Sequence, residues 1–310
     1  MHVPGARTAT LRVRAVALMC AALLCRTSLA SADEFESRAG HGHVSLLYQY
    51  ISVDGFESSI GEIPIGLVDT HTLFLEVDYY LTEKITLVAG IPYVRKRYKG
   101  TFPHDPLALN PPRTWVENID QGQWNSDFQD FHLGVRYLAK DGPVSIEPYA
   151  YLGLPSSEYP FFGNAAVGQH QTRLDIGSSF TWLPGLSNAY YRADIAYVFV
   201  EEILGVSVNH WKVNGEMGYQ FGPRATGRVF FLLKDGQGLS FPEDFPPPRD
   251  NELWYQHDRL VRHNYMNVGV GFDWALDDKY YVFTNVMTQT WADQVHKMRY
   301  AITVGISRAF

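Results

Sequence analysis

The sequence predicts an all-β protein: one closed, antiparallel, up-and-down transmembrane β-barrel of about twelve strands. Three observations carry this. Segments of roughly ten to fifteen residues alternate large apolar with small or polar side chains, the period of a strand whose two sides meet different surroundings. The connections between those segments alternate between short turns and longer loops, the asymmetry of a membrane barrel. No apolar run of about 18 residues follows the first thirty-odd positions, which excludes a helical membrane protein, and 14% aromatic residues with 26 glycines suit strands and turns.

Residues 1–32 read as a secretory leader. Arg7, Arg12 and Arg14 precede the apolar run 15–24, and Ala30-Ser31-Ala32 supplies a small-residue cleavage site. The apolar run is too short to span a bilayer as a helix. Both cysteines, Cys20 and Cys25, lie in this leader, so no disulfide or thiol chemistry is expected of the mature chain. The full chain carries a formal charge of −7, and losing the leader's arginines makes the remainder more acidic, which argues against nucleic acid as a partner. Residues 33–42 form a short periplasmic segment, and 43–310 form the barrel as one domain.

The strands follow in order. The first, 43–53, has Val44, Leu46, Tyr48 and Tyr50 on one face. Loop 54–69 leads to the second, 70–80, where Leu73, Leu75, Val77 and Tyr79 oppose Thr72, Phe74, Glu76 and Asp78. A tight turn precedes the third, 85–94, with Ile85, Leu87, Ala89, Ile91 and Tyr93 on one side. Loop 95–125, rich in Pro, Trp and Asn, separates it from the fourth, 127–138. Turn 139–143 leads to the fifth, 144–154, and the Gly- and aromatic-rich loop 155–168 to the sixth, 169–183. Pro184-Gly185 is a turn signal before the seventh, 189–199. The eighth, 207–221, sets Trp211, Val213, Met217, Tyr219 and Phe221 against His210, Lys212, Asn214, Glu216 and Gln220. Gly222-Pro223 turns into the ninth, 224–233. Loop 234–262 precedes the tenth, 263–274, and the eleventh is 279–290. In the twelfth, 298–310, Met298, Tyr300, Ile302, Val304, Ile306, Arg308 and Phe310 form one set; Arg299, Ala301, Thr303, Gly305, Ser307 and Ala309 form the other. An even strand number puts both termini on the short-turn side, the periplasm in an outer membrane.

A soluble barrel also alternates, with its apolar face inside. The long strands, the many full charges on the polar faces and the aromatic residues at strand ends (Tyr79, Tyr80, Tyr93, Trp182, Tyr190, Tyr191, Tyr219, Trp274, Tyr280, Tyr281, Trp291) predict the opposite arrangement, lipid outside and a wet lumen inside. The lumen-facing set is then Glu76, Asp78, Asp130, His132, Arg136, Glu147, Arg173, Asp175, Arg192, Asp194, His210, Lys212, Glu216, Arg228, Asp273 and Arg299. Both signs occur in similar numbers. They read either as neutralising pairs that fill a narrow barrel or as the lining of a conduit, and a channel dedicated to strongly anionic solutes is disfavoured.

A chain ending on Phe310 after such a strand resembles bacterial outer-membrane β-barrel proteins. There the terminal Phe and the alternate apolar residues before it are a signal to the barrel-insertion machinery. Arg308 departs from that pattern, which usually has an apolar or aromatic residue at this place. A second resemblance lies in 124–137 (WNSDFQDFHLGVRY), in 151–177 with Leu154-Pro155 before a Gly-rich loop, and in 40–42. These are similar to outer-membrane proteins linked to meta-pathway phenol degradation, distant relatives of the long-chain fatty-acid transporters. The match covers about half the chain, and Gln129 stands where that pattern prefers Gly. The resemblance implies an integral outer-membrane transporter for a small hydrophobic or amphipathic solute. Fatty-acid transporters carry an N-terminal hatch, which 33–42 is too short to form, so a loop folded into the lumen would have to gate.

Loops 95–125 and 234–262 are the candidates, the latter with Phe241, Phe245, Trp254 and Tyr255 either as capture residues for a hydrophobic solute or as the loop's own packing. Arg95, Lys96, Arg97 and Lys99 are suited to lipopolysaccharide phosphates. No cofactor or metal is expected. One alternative is a plugged structural or adhesive barrel without transport. Another is an outer-membrane lipid hydrolase using His43 and Ser45, which share a strand face as base and nucleophile require; no Asn stands out to orient the His, so no catalytic residue is assigned.

Overall fold

The structure, a computed structural model, describes residues 38–101 and 104–310; the leader 1–32 and positions 33–37 lie outside them. One antiparallel sheet contains β1 (Gly42–Ser58), β2 (Gly61–Ile63), β3 (Leu67–Tyr80), β4 (Ile85–Lys99), β5 (Trp124–Phe128), β6 (Asp130–Tyr137), β7 (Val144–Pro155), β8 (Arg173–Trp182), β9 (Ala189–Val200), β10 (His210–Gln220), β11 (Ala225–Gly236), β12 (Asn264–Ala275), β13 (Tyr280–Asp293) and β14 (Val295–Ala309). The segment β2 is a three-residue return on β1, and β5 and β6 both pair with β4 as two halves of one stave interrupted at Gln129. The barrel therefore has twelve staves. β14 pairs with β1 from Ala309↔His43 to Val295↔Glu57, so the sheet closes and has no free edge.

All twelve expected strands are present. Their ends on the long-loop side run further than the alternation predicts, β1 to Ser58 and β4 to Lys99. Only Gln294, in the left-handed region at φ 59°, separates β13 from β14, where the pattern predicts a short loop. The ladder continues beyond the point where one face meets lipid, and there alternation no longer marks a strand.

The faces are arranged as a membrane barrel requires. Leu75 and Val304 are 45% and 46% exposed, while Asp78 and Ser307 on the opposite faces are each 1% exposed. Outward aromatics form two belts. Tyr79, Tyr137, Trp182, Tyr191, Tyr219 and Trp274 ring the short-turn end, and Tyr93, Phe128, Trp211, Trp291 and Tyr300 ring the other; all are exposed. Amphipathic rings at two levels are the signature of two water–lipid interfaces. Three expected belt residues turn inward instead. Tyr80 shares the inward face of β3 with Asp78 and its hydroxyl lies 3.3 Å from His43 Nδ1, Tyr190 is buried and donates to Glu216, and Tyr281 packs against Leu47, Phe74 and Phe283. The reason is local: in Tyr79-Tyr80, Tyr190-Tyr191 and Tyr280-Tyr281 successive side chains take opposite faces, so only one of each pair can reach lipid.

Arg299 also corrects the sequence reading. The register with β1 slips between Ser52↔Tyr300 and Val53↔Met298, leaving Arg299 as the extra residue of a β-bulge. Arg299 is exposed and pairs with Asp54 at 3.3 Å, whereas Met298, expected to face lipid, is buried beside Val53 and Ala301. One inserted residue inverts the face of everything beyond it.

At the closing seam, Gly42 N–H donates to the Phe310 carbonyl (2.9 Å) and Phe310 N–H to the Gly42 carbonyl (3.0 Å). A Cβ on Gly42 would lie 2.7 Å from Phe310 Cζ and press on the Asp78 carbonyl. Gly42→Val is therefore expected to dislodge the terminal ring and slow refolding into lipid vesicles, followed as the appearance of the heat-modifiable folded band. An unchanged refolding rate would show that the seam tolerates the side chain. Arg308 stays exposed at this rim with its guanidinium 5.7 Å from the Tyr280 ring centre, close enough for a cation–π contact.

Candidate functional site

Fifteen of the sixteen charged or imidazole residues expected inside lie on the face opposite the lipid-facing set, Arg299 being the exception. Most are paired. Arg136 bonds Asp78 (3.3 Å) and lies 3.7 Å from Glu147; Arg228 contacts Asp273 and lies 3.4 Å from Glu216; Lys212 bonds Asp175 at 2.5 Å. Asp194 accepts from Tyr149 (2.6 Å) and Ser179 (2.5 Å), and Arg173 is 2.8 Å from His132 Nε2. Arg192 reaches Ser179 at 3.5 Å, and His210 Nδ1 lies 3.1 Å from the Val208 carbonyl. Glu76 shares the inward face of β3 with Asp78. Each of these strand-to-strand pairs joins neighbouring staves or staves one apart. The charges thus carpet the wall rather than bridge it.

What crosses the lumen is a loop. Residues 156–172 leave β7 and return to β8, yet Ala165 and Ala166 pack with Val53, Val68, Tyr98, Met298 and Ala301 of β1, β3, β4 and β14, around the opposite wall. Loop 100–123 contributes Ile119 to the same cluster. The next residue, Asp120, is the clamp. Its carboxylate accepts from the backbone N–H of Ala165 (2.9 Å) and Asn164 (2.9 Å), from Asn164 Nδ2 (3.1 Å) and from His104 Nδ1 (2.9 Å). Gly163, at φ +136°, brings the chain against this carboxylate, and a Cβ there would sit about 3 Å from Ile119 and Asp120. Elsewhere Lys96 Nζ donates to the Ala166 carbonyl (3.0 Å), Tyr159 hydroxyl to Asp130, Arg259 to the His170 carbonyl (2.7 Å) and Gln169 to the Asp258 carbonyl (2.6 Å).

The loop that lies across the lumen is therefore the one expected at 155–168, and the two longer loops hold it in place. The available signal was the run Gly163-Asn164-Ala165-Ala166-Val167-Gly168: small side chains let a backbone cross a narrow bore. In the other long loop, α1 (Glu252–Tyr255) and α2 (His257–Leu260) pack over its own core. Phe245 is buried, Phe241 lies against it, Trp254 stacks on His257 at 4.2 Å and Tyr255 sits against Phe161 and Phe162. These aromatics are spent on packing rather than capture. The basic stretch is engaged too: Arg97 bonds Asp69 at 3.1 Å, Lys99 lies 3.8 Å from it and Arg95 lies over the Trp124 ring.

The loop junction is electrostatically tuned. Burial pulls His104 down, but its hydrogen bond to Asp120 and the field of Asp258 outweigh that and hold its pKa above the ordinary 6.5. Burial pushes Asp120 up, and the His104 bond with the two backbone N–H groups more than reverses it, leaving it below 3.8. Asp258 lies at about 2: burial opposes ionisation, and His257, His296, His104 and His263 around it win.

Beside the crossing loop the lumen opens into a two-lobed chamber. One lobe, of about 350 Å³, is bounded by Arg173, Asp175, His210 and Lys212 on the wall and by Val167, Gly168 and Gln169 of the loop. The second, of about 340 Å³, is bounded by Ile51, Met287 and Met298 with Gln49, Asn267 and Gln289. Gln169, Lys234, His263, Tyr265 and His296 border both lobes. Each lobe has the size of a small-molecule site.

The barrel aligns with the crystal structure of an outer membrane channel from Pseudomonas putida F1 at TM-score 0.66, with 13% identity, over 88% of this chain and 96% of that one. The fold is that of an outer-membrane channel barrel. More distant likenesses are the KdgM porin in complex with disordered oligogalacturonate (TM-score 0.47, 11% identity, 86% of this chain and 99% of that one) and the CymD monoaromatic hydrocarbon channel (0.45, 10%, 88% and 89%). No protein-family model matches the sequence, and no curated protein does. Within this channel-type barrel, His43 and Ser45 have structural partners at the short-turn rim. Ser45 Oγ donates to Ser307 Oγ at 2.6 Å and is buried, and His43 Nδ1 lies 3.3 Å from the Tyr80 hydroxyl.

Proposed function

We propose that the protein is an outer-membrane channel for a small amphipathic solute, gated by loop 156–172. The observation that carries this is the position of that loop. It lies across the bore beside a ligand-sized chamber, and side-chain and backbone hydrogen bonds together with a small apolar cluster hold it there. Contacts of this kind open at a cost of a few kcal/mol. The wall pairs leave the bore to the loop, and a neutralised polar lining lets a solute pass without deep electrostatic traps. The chain is read as exported by its leader and inserted through the signal ending at Phe310, with lipid against the apolar belt. Lipopolysaccharide phosphates would find Arg95 and Lys99 at the outer rim.

Planar-bilayer recording tests the proposal. Replacing 161–167 by a short Gly/Ser linker is expected to raise single-channel conductance several-fold over wild type. A folded, loop-replaced barrel that conducts no better would leave the plugged structural barrel as the correct reading.

A further inference from the structure

Resting on the channel reading above, the side-chain amides around the chamber narrow the class of solute it takes. Most of them are fixed the same way round. Gln49 Nε2 donates to Thr303 Oγ1 (2.9 Å), Gln169 Nε2 to the Asp258 carbonyl (2.6 Å) and Gln171 Nε2 to the Glu201 carbonyl (3.0 Å). In each the nitrogen is tied down and the carbonyl oxygen is the uncommitted end. Asn267 goes further. It is 3% exposed, and its Oδ1 has no hydrogen-bond partner among the described residues; the same holds for Gln171 Oε1. Strand pairing explains why. The neighbour of Asn267 on β11 is Leu232, whose side chain has nothing to donate. Its neighbour on β13 is Gln289, which accepts from the Met298 N–H (2.9 Å) and reaches the His296 carbonyl (3.5 Å) instead. By contrast Asn264, on the same strand, exchanges bonds with the Gly236 backbone at 2.9 and 3.2 Å. A buried acceptor without a donor is uncommon enough to call for an explanation, and these acceptors border a ligand-sized space.

We infer that the chamber binds small neutral alcohols and diols, with hydroxyl groups donating to the amide oxygens of Asn267, Gln49 and Gln169 and the hydrocarbon frame against Met287 and Met298. Amide oxygens select a solute that donates, and an ether of the same shape leaves them unpaired. An ammonium also donates, but stripping an ion of water costs far more than stripping a hydroxyl, and neutral amides do not offset it. Ile51, Met287, Val295 and Met298 form an apolar wall in the second lobe, which favours a carbon frame over a bare polyol. The methionines suit the role: a flexible, polarisable thioether adapts to frames of different shape. Lys234 borders both lobes, which makes a carboxylate the competing class.

Equilibrium dialysis of the full-length protein folded in detergent tests the inference without needing the gate to open. Cyclohexanediol, its dimethyl ether, cyclohexylamine and cyclohexanecarboxylate share a ring and differ in donors and charge, and glycerol has hydroxyls without the ring; each is measured against protein-free micelles. The diol is expected to bind at least about tenfold more tightly than any of the others, the factor that follows when a buried acceptor is left without its donor. Asn267→Leu, similar in shape and without the amide, is expected to weaken the diol about tenfold and to leave the ether unchanged. Met287→Ser is expected to weaken the diol and not glycerol. Folding of each variant is checked by its heat-modifiable band; Asn267→Ala replaces a leucine variant that fails to fold, and the comparison of solutes on the wild type decides without either. A smaller preference for the diol, tighter binding of the amine or the carboxylate, no diol binding, or wild-type diol affinity in a folded Asn267 variant would overturn the inference. The channel reading stands or falls separately on the bilayer recordings.

Discussion

Asp120→Asn is expected to raise the open fraction of the channel roughly a hundredfold. Asp120 is buried, and both its oxygens accept: Oδ1 from Ala165 N–H, Oδ2 from Asn164 and His104. An asparagine keeps one acceptor and turns the other into a donor. Whichever way the amide flips, a donor faces a donor. Hydrogen bonds to a charged group contribute about 1.5–3 kcal/mol each, so a shift of about 3 kcal/mol between closed and open states, roughly two decades in their ratio, is a moderate expectation. Single-channel open probability measures it, and an open probability within twofold of wild type would dismiss Asp120 as the clamp.

On the proposed gating, the same pair is expected to make opening sensitive to pH. His104 has a raised pKa, so its contribution is complete below about 6.5 and is lost as pH rises through the higher folded value. Asp120 has a depressed pKa, so its contribution is complete above 3.8 and is lost as pH falls through the lower folded value. The closed loop is therefore held hardest between these limits, and openings become more frequent on the alkaline side. Asp258 and His257 lie beside the pair and share its field, which broadens the transition. In Asp120→Asn the alkaline rise should vanish, and a rise that persists would assign it to another group.

Arg228→Leu is expected to destabilise the barrel by about 3–5 kcal/mol, the cost of removing one partner from a buried ion pair. The Arg228 side chain is 2% exposed and among the described residues serves Asp273, Glu216 and, at 2.6 Å, Asn285. Without it two buried carboxylates face each other across β10 and β12. Urea unfolding in micelles measures the loss, and adding Asp273→Asn should recover part of it by removing one of the stranded charges. Arg308→Leu, at the exposed rim, should change stability by less than about 0.5 kcal/mol. If the two leucine variants unfolded at the same urea concentration, the wall network would contribute nothing beyond its surface charges.

Most of the barrel was legible in the sequence because its determinants are local. Lipid on one side and water on the other impose a period of two on each stave, and Val44-Ser45-Leu46 or Ile302-Thr303-Val304 declare their faces with no knowledge of a partner strand. Strand number, the short-turn rim and the lumen-facing charges follow from that periodicity. It misleads where a residue is inserted, as at Arg299, and where two aromatics are adjacent, as at Tyr190-Tyr191. A bulge is a property of two paired strands and leaves no mark in one of them.

The crossing loop and the chamber were not legible. Ala165 and Ala166 meet Val53 and Met298 only because the sheet closes, bringing the first and last staves opposite the middle of the chain. Nothing in a run of small residues says what it will touch, and loop length pointed to 95–125 and 234–262, which contact the crossing loop, rather than to the crossing loop itself. What the sequence determined by itself is the wall, whose two faces answer to lipid and water residue by residue. What the tertiary structure alone decided is what occupies the bore, because contacts such as Asp120 to Ala165 and Lys96 to Ala166 join residues 45 and 70 positions apart, and no local period records them.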